Sequence, residues 1–167
     1  LIPACGECGL YKPPCKSPKM PVDGQGRRKI LVVGESPGSR EDDEGKPFVG
    51  PSGREVRDAL AKVGVDFRSD CWITNALRCK GPKSPTIQVD HCRPYLIQAI
   101  TELQPEVIIL LGGAACRSCL GWLWKEEVGK PSRWDGWQIP SQKINAWVCP
   151  TWHPAALLHV NKYDRED

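Results

Sequence analysis

Four side chains that could bind a flat polar ligand, or act on one, lie in loops of the sequence. They are a carboxylate, an aromatic ring, an amide and an imidazole: Glu35, Phe48, Asn75 and His153. Carboxylates and imidazoles commonly move protons or stabilise charge that develops in a reaction. An aromatic ring can stack on a base, and a side-chain amide can both donate to and accept from a pyrimidine edge. The set indicates chemistry on a planar, base-like ligand.

Each of these residues also has an ordinary structural explanation. The segment Gly34-Glu-Ser-Pro-Gly38 could be only a tight turn, and Phe48, between glycines and prolines, could fill a local gap in the core. Asn75 could form a turn or cap a helix, and a single loop histidine such as His153 is common. A phosphate-binding loop is disfavoured, because the glycine spacing fits neither common phosphate motif and the segment that follows is rich in acidic residues.

The chain has nine cysteines, which form a second set of reactive groups. An odd number excludes complete pairing within the chain, and nothing marks the sequence as secreted, so we expect metal ligands or core thiols rather than disulfides. Cys116-Arg-Ser-Cys119 falls on a predicted helix and is interpreted as a pair of core thiols, with a redox or metal role as the alternative. Cys71 and Cys149 lie in predicted strands and are expected in the core.

Short apolar runs and helical patterns alternate along the chain. Strands are predicted over residues 29–33, 71–74, 107–111 and 146–149, and helices over 54–63, through 96–103 and after Gly112-Gly113. Residues 34–53 are predicted to form a long loop. This alternation predicts an α/β fold with a parallel sheet covered on both faces. Ligands of such sheets bind beyond the carboxyl ends of the strands, where four loops should converge.

Composition fits one α/β domain of 167 residues, with 26% charged and 40% hydrophobic residues. No apolar run approaches the ~20 residues that a membrane helix needs, so no contact with a membrane is expected. A net charge of +3 permits a nucleic-acid partner without requiring one. Residues 1–28 carry many prolines and glycines and no amphipathic period, so we expect them to be ordered only if something staples them to the domain at 29–167.

Several short motifs, taken in order, resemble the uracil-DNA glycosylase superfamily, and its family 4, the iron–sulfur enzymes, most closely. They are Gly-Glu-Ser-Pro-Gly (34–38), Glu-Asp (41–42), Gly-Lys-Pro-Phe-Val-Gly (45–50), Thr-Asn (74–75), Leu-Leu-Gly (110–112) and His-Pro-Ala-Ala-Leu-Leu (153–158). The resemblance covers nearly the whole chain. It implies a three-layer α/β/α sandwich around a four-stranded parallel sheet.

The resemblance also implies residue roles. Glu35 would lie beside the attacking water and the sugar, with the backbone of Ser36 in the uracil pocket. Phe48 would stack on uracil and Asn75 would read its polar edge. His153 would donate to the uracil oxygen nearest the glycosidic bond. A further implied role is a wedge that enters the gap left in the duplex: Leu157.

The family's four cluster ligands match four cysteines of this chain: Cys5, Cys8, Cys79 and Cys92. Four thiolates suit a [4Fe–4S] cluster, and structural zinc is the alternative, since tetrahedral Cys₄ sites use similar spacing. We expect the cluster to be a structural staple. Cys15 is a competing ligand near the first pair.

The resemblance implies a monofunctional DNA repair enzyme that flips uracil out of single- or double-stranded DNA, hydrolyses its glycosidic bond and leaves an abasic site. Such an enzyme is expected to be a monomer inside the cell, in the cytoplasm if the source is prokaryotic. One alternative is a non-catalytic DNA-binding module of the same fold attached to a replication protein. Another is a zinc-stapled α/β protein that acts on a nucleotide or other small molecule.

Six of the seven tryptophans lie between residues 122 and 152. We interpret this concentration as local packing. A DNA-facing role is the alternative for Trp134, Trp137 or Trp152, because Arg133 and Lys143 lie nearby.

Overall fold

A five-stranded sheet forms the centre of the protein. Its structure, a computed structural model, describes residues 5–82 and 86–156. Its strands are β1 (Ile30–Gly34), β2 (Cys71–Asn75), β3 (Val107–Leu111), β4 (Ile139–Ser141) and β5 (Ala146–Thr151). Their order across the sheet is β2-β1-β3-β5-β4, and the first four in this order are mutually parallel. The parallel four-stranded core that the sequence predicts is confirmed.

Helices cover both faces of the sheet. They are α1 (Ser39–Glu44), α2 (Pro51–Ala61), α3 (Thr86–Leu103) and α4 (Gly113–Trp124). Successive residues of β1 point to opposite faces, as strand geometry requires. Leu31 and Val33 pack in one core with residues of α3 and α4, whereas Val32 packs in the other with Val56 of α2. The predicted three-layer α/β/α sandwich is therefore confirmed.

The short strand β4 is an addition to the predicted sheet. It pairs antiparallel with β5, and Pro140 in its centre lies opposite Trp147. A three-residue strand that contains proline gives no recognisable pattern in the sequence, because proline suits only edge strands. β5 itself runs two residues further than predicted, through Pro150 to Thr151.

The prediction of one long loop over residues 34–53 is wrong, because this segment contains α1 and the start of α2. Helix α1 ends where Gly45 adopts a left-handed conformation, with φ of 69°. Helix α2 begins at Pro51, a residue whose fixed φ and missing N–H suit the first helical position. These two helices bring the ends of the segment back towards the sheet.

Residues 20–26 of the N-terminal segment, whose described part is residues 5–28, lie along the outer edge of β2. Asp23 and Ile73 exchange two backbone hydrogen bonds of 2.9 and 2.8 Å as an isolated antiparallel bridge. Nearby, the Met20 N–H donates to the Arg78 carbonyl at 2.7 Å. Within the ranges that the structure describes, no helix has the length and apolar character needed to cross a membrane.

Candidate active site

A cavity of about 310 Å³ opens at the carboxyl edge of the parallel strands. Gly34 and Asn75 are register partners at the ends of β1 and β2, and β5 ends two residues before His153. The lining includes four of the residues that the sequence singles out: Ser36, Phe48, Asn75 and His153. The expected convergence of loops from separate strands is present, with a volume near the lower end of the range for small-ligand pockets.

Gly34 lets two of these side chains approach the sheet. A Cβ atom at this position would lie 2.5 Å from Oδ1 of Asn75 and 2.5 Å from Cζ of Phe48. Any larger residue would therefore push the amide and the ring out of place. The glycine is required by this close approach, not by its backbone angles.

Phe48 is held in a strained conformation on a fixed loop. Its φ of 56° lies in the left-handed region that non-glycine residues rarely adopt, and its side chain is buried. The Arg68 guanidinium donates to the carbonyl oxygens of Pro47 and Phe48 at 2.7 and 3.2 Å. The Phe48 ring meets Phe67 edge to face, with centroids 5.8 Å apart. The ring is thus positioned before any ligand arrives.

The amide of Asn75 is buried and aimed at the cavity. The residue is 7% exposed, and within the described ranges no side-chain hydrogen bond is formed by its amide. The amide atoms keep access to the open cavity, since Ser118 Oγ alone among the described side-chain atoms is both fully buried and unpartnered. Such an amide suits a ligand with its own donor and acceptor. The Asn75 backbone is fixed in β2, which limits the directions in which the amide can point.

His153 has one ring nitrogen engaged. The backbone N–H of Ala155 donates to Nδ1 of His153 at 3.2 Å, so a neutral imidazole carries its proton on Nε2. Burial lowers the pKa of His153 below its ordinary value and favours this neutral form. A Cβ atom at Gly112 would lie 2.9 Å from the His153 Cβ, so the end of β3 leaves room for the histidine. The imidazole is a neutral donor at the cavity wall.

Glu35 lies between Gly34 and Ser36 at the end of β1, and its side chain is partly buried. Burial raises the pKa of its carboxyl above the ordinary value. Of the residues that the structure describes, those lining the cavity do not include Glu35, although its neighbour Ser36 is one of them. The carboxyl of Glu35 therefore has a raised affinity for a proton, and the cavity contacts its neighbour Ser36 rather than Glu35 itself.

Glu41 lines the cavity, and no role for this residue is expected from the sequence. Its Oε1 accepts a hydrogen bond of 2.7 Å from the N–H of Gly50, the residue that precedes α2. A Cβ atom at Gly38 would lie 2.7 Å from Glu41 Oε2. The carboxylate therefore holds the two glycine segments at the cavity together. The only signal in the sequence was its place in the Glu-Asp motif.

The four cysteines matched to the family's ligands line a second, small cavity, together with Leu10, Leu77 and Tyr95. The backbone N–H of Lys19 donates to Sγ of Cys79 at 3.2 Å. Burial, with a smaller contribution from the neighbouring Cys79, raises the pKa of the Cys92 thiol to about 11. Among the described residues, no group of three His, Cys, Asp or Glu side chains has the geometry to hold a single metal ion.

Cys15, the competing ligand, is turned towards α1. Its Sγ donates to Oδ1 of Asp42 at 3.5 Å, and the N–H groups of Lys16 and Ser17 donate to the same oxygen, each at 2.9 Å. Burial opposes ionisation of Asp42, but the two N–H donors outweigh it and lower the pKa of this carboxyl. Asp42 thus fastens the N-terminal segment to the helix that borders the active-site cavity.

Three of the other four cysteines lie in the core as the sequence predicts. Cys116 and Cys119 are buried between α4 and the sheet, and Cys71 is buried at the start of β2. The prediction that Cys149 is a core residue is wrong, because Cys149 is only partly buried in β5. Leu157, the expected wedge, lies outside the described residues.

Fold and site together define an α/β protein with a pocket for a small planar ligand at the carboxyl edge of its parallel strands. The sequence profile of the Uracil DNA glycosylase superfamily matches residues 21–167. The chain is 36% identical over 165 residues to a type-4 uracil-DNA glycosylase of Pyrobaculum aerophilum, covering 95% of this chain and 81% of that protein. It therefore belongs to the uracil-DNA glycosylase superfamily, in the type-4 group.

Two further relatives bear on its function. A type-4 uracil-DNA glycosylase of Saccharolobus solfataricus is 34% identical over 176 residues, which cover 98% of this chain and 78% of that protein. A DNA polymerase of Bacillus phage SP01 is 28% identical over 148 residues, which cover 86% of this chain but only 15% of the polymerase. The glycosylase relatives are similar over most of their length, whereas the polymerase is similar in one small part.

Proposed function

We propose that this protein removes uracil from DNA by hydrolysing its N-glycosidic bond and leaves an abasic site. The observation that carries the proposal is the cavity that joins Phe48, Asn75 and His153, with Ser36, the residue after Glu35, in the same lining. A base inside a duplex cannot be reached, so the nucleotide must first be extruded into such a cavity. The lining of the cavity supplies the stacking ring of Phe48, the amide of Asn75 and the neutral donor His153.

Each residue has one task in the proposed reaction. Phe48 stacks on the uracil ring, and the Asn75 amide pairs with its polar edge. Cytosine presents a donor where uracil presents an acceptor, so a rigid buried amide penalises it. Since the neutral His153 carries its proton on Nε2, it donates to a uracil oxygen as negative charge develops there.

The bond changes are those of a hydrolysis. Water adds to C1′ of the sugar, the C1′–N1 bond breaks, and its electron pair leaves with uracil. The Glu35 carboxylate takes a proton from the water and stabilises the positive charge that forms on the sugar. A carboxyl whose pKa is raised by burial is suited to accept that proton.

An excision assay tests this function directly. Matched single- and double-stranded oligonucleotides that contain U, T or C at one position are incubated with the protein, and abasic sites are cleaved with alkali. We expect cleavage at U alone. His153→Ala should lower the rate by ~10²–10³, the usual cost of one lost donor to a developing anion, while DNA affinity stays near that of the wild type. Equal rates for variant and wild type would remove His153 from the reaction.

A non-catalytic DNA-binding module is the competing function. A module that only binds DNA has no need for an imidazole and an amide together at one cavity, and the region similar to the phage polymerase is a small fraction of that protein. The same assay decides the question. DNA binding with no excision of uracil would support the module and refute the enzyme.

We further propose that Cys5, Cys8, Cys79 and Cys92 hold a [4Fe–4S] cluster, with zinc as the alternative. Four thiols that face one small cavity, next to the apolar Leu77, are a suitable donor set for a cluster. When bound, the cluster would supply a structural cross-link between the N-terminal segment, residues 1–28, and the α/β domain at 29–167. In its described part the segment has no helix or strand of its own, and its other links to the domain are hydrogen bonds such as the Asp23–Ile73 bridge and those to Asp42.

Iron and zinc analysis with a visible spectrum distinguishes the two metals. An iron–sulfur protein is brown, and zinc is colourless. Cys79→Ala should lose the metal and lower solubility, whereas the matched variant Cys15→Ala should keep it, because the Cys15 thiol faces Asp42. Retention of metal in the first variant and its loss in the second would change the ligand set.

We also infer that the protein acts as a monomer, because one chain supplies every residue of the proposed site. An intracellular location is consistent with nine free cysteines, since thiols persist in reducing compartments.

A further inference from the structure

Three of the six tryptophans between residues 122 and 152 are packed as predicted, and the other three are exposed. Trp122, Trp124 and Trp134 pack against the core between α4 and the sheet. Trp137 and Trp152, by contrast, are 58% and 50% exposed. An exposed indole ring offers a free face on which a base can stack.

Trp152 is joined to the site by the chain itself. It directly precedes His153, just beyond the end of β5. The segment that carries Trp137 reaches the same end of the sheet, because the Gly136 N–H donates to the Pro150 carbonyl at 3.2 Å. A Cβ atom at Gly113 would lie 3.2 Å from Cγ of Pro131, so this segment also borders the start of α4.

The Trp137 ring is held in place before any ligand binds. It meets the Trp134 ring edge to face, with centroids 5.9 Å apart. Trp134 is anchored by a 2.7 Å hydrogen bond from its Nε1 to the Val128 carbonyl and by contact with Trp124, 4.9 Å between centroids. A ring that is fixed in advance loses little entropy when it stacks on a ligand.

A cation accompanies the rings. The Arg133 guanidinium lies over the Trp134 ring, 5.0 Å from its centroid, and Arg133 is exposed. It forms no ion pair within the residues that the structure describes. Exposed aromatic rings with a free guanidinium beside them are the combination that binds unpaired nucleic acid, through base stacking and phosphate contact.

We propose that Trp137 and Trp152, with Arg133, form a stacking surface for unpaired bases that flank the extruded nucleotide. The surface therefore favours single-stranded or locally melted DNA. This inference rests on the proposed function, because it says where the DNA on either side of the extruded nucleotide is bound. Bases in an intact duplex already stack on their neighbours and have no free face, so they gain little from the surface.

The chain offers a matched control at Trp147. This residue is also 50% exposed and lies on β5, the strand that leads to Trp152, but near the start of that strand, paired with Val107 at the start of β3. Five residues of extended chain separate it from Trp152, about 16 Å at ~3.3 Å per residue. Removal of Trp147 thus takes away an equally exposed indole that is remote from the cavity.

The test compares Trp137→Ala and Trp152→Ala with Trp147→Ala. Affinity is measured by fluorescence anisotropy on a labelled single strand without uracil and on its duplex, and kcat and KM on the same sequences with uracil. We expect the first two variants to bind the single strand roughly 5- to 150-fold more weakly, the range for loss of one stacked base. The duplex should change less, and Trp147→Ala should bind both DNAs as the wild type does.

Two further results distinguish the loss of a stacking ring from a general change in structure. Trp152→Phe should restore most of the lost affinity because it keeps a ring, and Trp137→Ala should raise KM with little change in kcat. The inference is overturned if all three alanine variants behave alike, or if the duplex loses as much affinity as the single strand. A wild-type protein that does not excise uracil would instead refute the proposed function, so the two failures are distinguishable.

Discussion

Gly34→Ala tests whether the active site depends on the close approach of the ring and the amide to β1. The added methyl group would lie 2.5 Å from both Asn75 Oδ1 and Phe48 Cζ, whereas ordinary contacts at a Cβ begin at 3.4 Å. Each side chain must therefore move by about 0.9 Å. A misplacement of ~1 Å at a site can cost ~10² in rate, which is about 2.7 kcal/mol of activation free energy.

The assay for Gly34→Ala is kcat/KM for uracil excision from a single-stranded oligonucleotide, with the melting temperature measured alongside. We expect the hundredfold loss with a folded protein, since Gly34 has ordinary backbone angles that alanine can adopt. Gly121→Ala, on α4, is the control, because its new methyl would first meet only the tip of Arg93 at 3.3 Å. A folded Gly34→Ala protein that keeps more than a third of wild-type kcat/KM would refute the steric argument.

Three other perturbations test separate parts of the structure. Between pH 4 and 9, kcat/KM should decrease only as the pH is lowered, because Glu35 acts in its ionised form with a raised pKa and His153 acts in its neutral form with a lowered pKa. A decrease in kcat/KM as the pH rises from 6 to 8 would mean that the imidazolium form of His153 is required. Asp42→Ala should lower the free energy of unfolding by about 1–3 kcal/mol, because two N–H donors lose their acceptor. The pKa of Asp42 is lowered in the folded protein, so the difference in unfolding free energy between wild type and variant should persist above pH 3.8, the ordinary pKa, and shrink as the pH falls below it. Urea unfolding at several pH values measures this difference, and a difference that does not change with pH would contradict the argument. Arg68→Lys should raise KM about tenfold by releasing two carbonyls of the aromatic loop, whereas the control Arg28→Lys, at an exposed 3.4 Å contact, should not.

The sheet could be predicted from sequence because its strands carry their own signal. Val107–Leu111 is a continuous apolar run, and such runs are typical of parallel strands that are buried on both faces. Parallel strands bring their carboxyl ends to one edge, so the meeting of Asn75 and His153 at one cavity followed from the strand assignments.

Features that depend on distant contacts could not be predicted in this way. Helix α1 has an acidic sequence with no apolar period, and its fixed position depends on the bonds that Asp42 makes to residues 15–17. The role of Glu41 arises only because the fold brings Gly50 to its carboxylate. Spacing alone also could not decide between Cys15 and the other thiols, because only the folded chain shows that Cys15 faces Asp42.

The two borders of the sheet differ in how they are protected against adding a foreign strand. At one border, Pro140 in β4 has no N–H to offer to an incoming chain. At the other, β2 is covered by the backbone of residues 20–26 through the bridge from Asp23 to Ile73. The first protection is covalent and permanent, whereas the second lasts only while the N-terminal segment stays fastened. Detachment of that segment would uncover a ready template for intermolecular β-pairing, so aggregation should begin along β2.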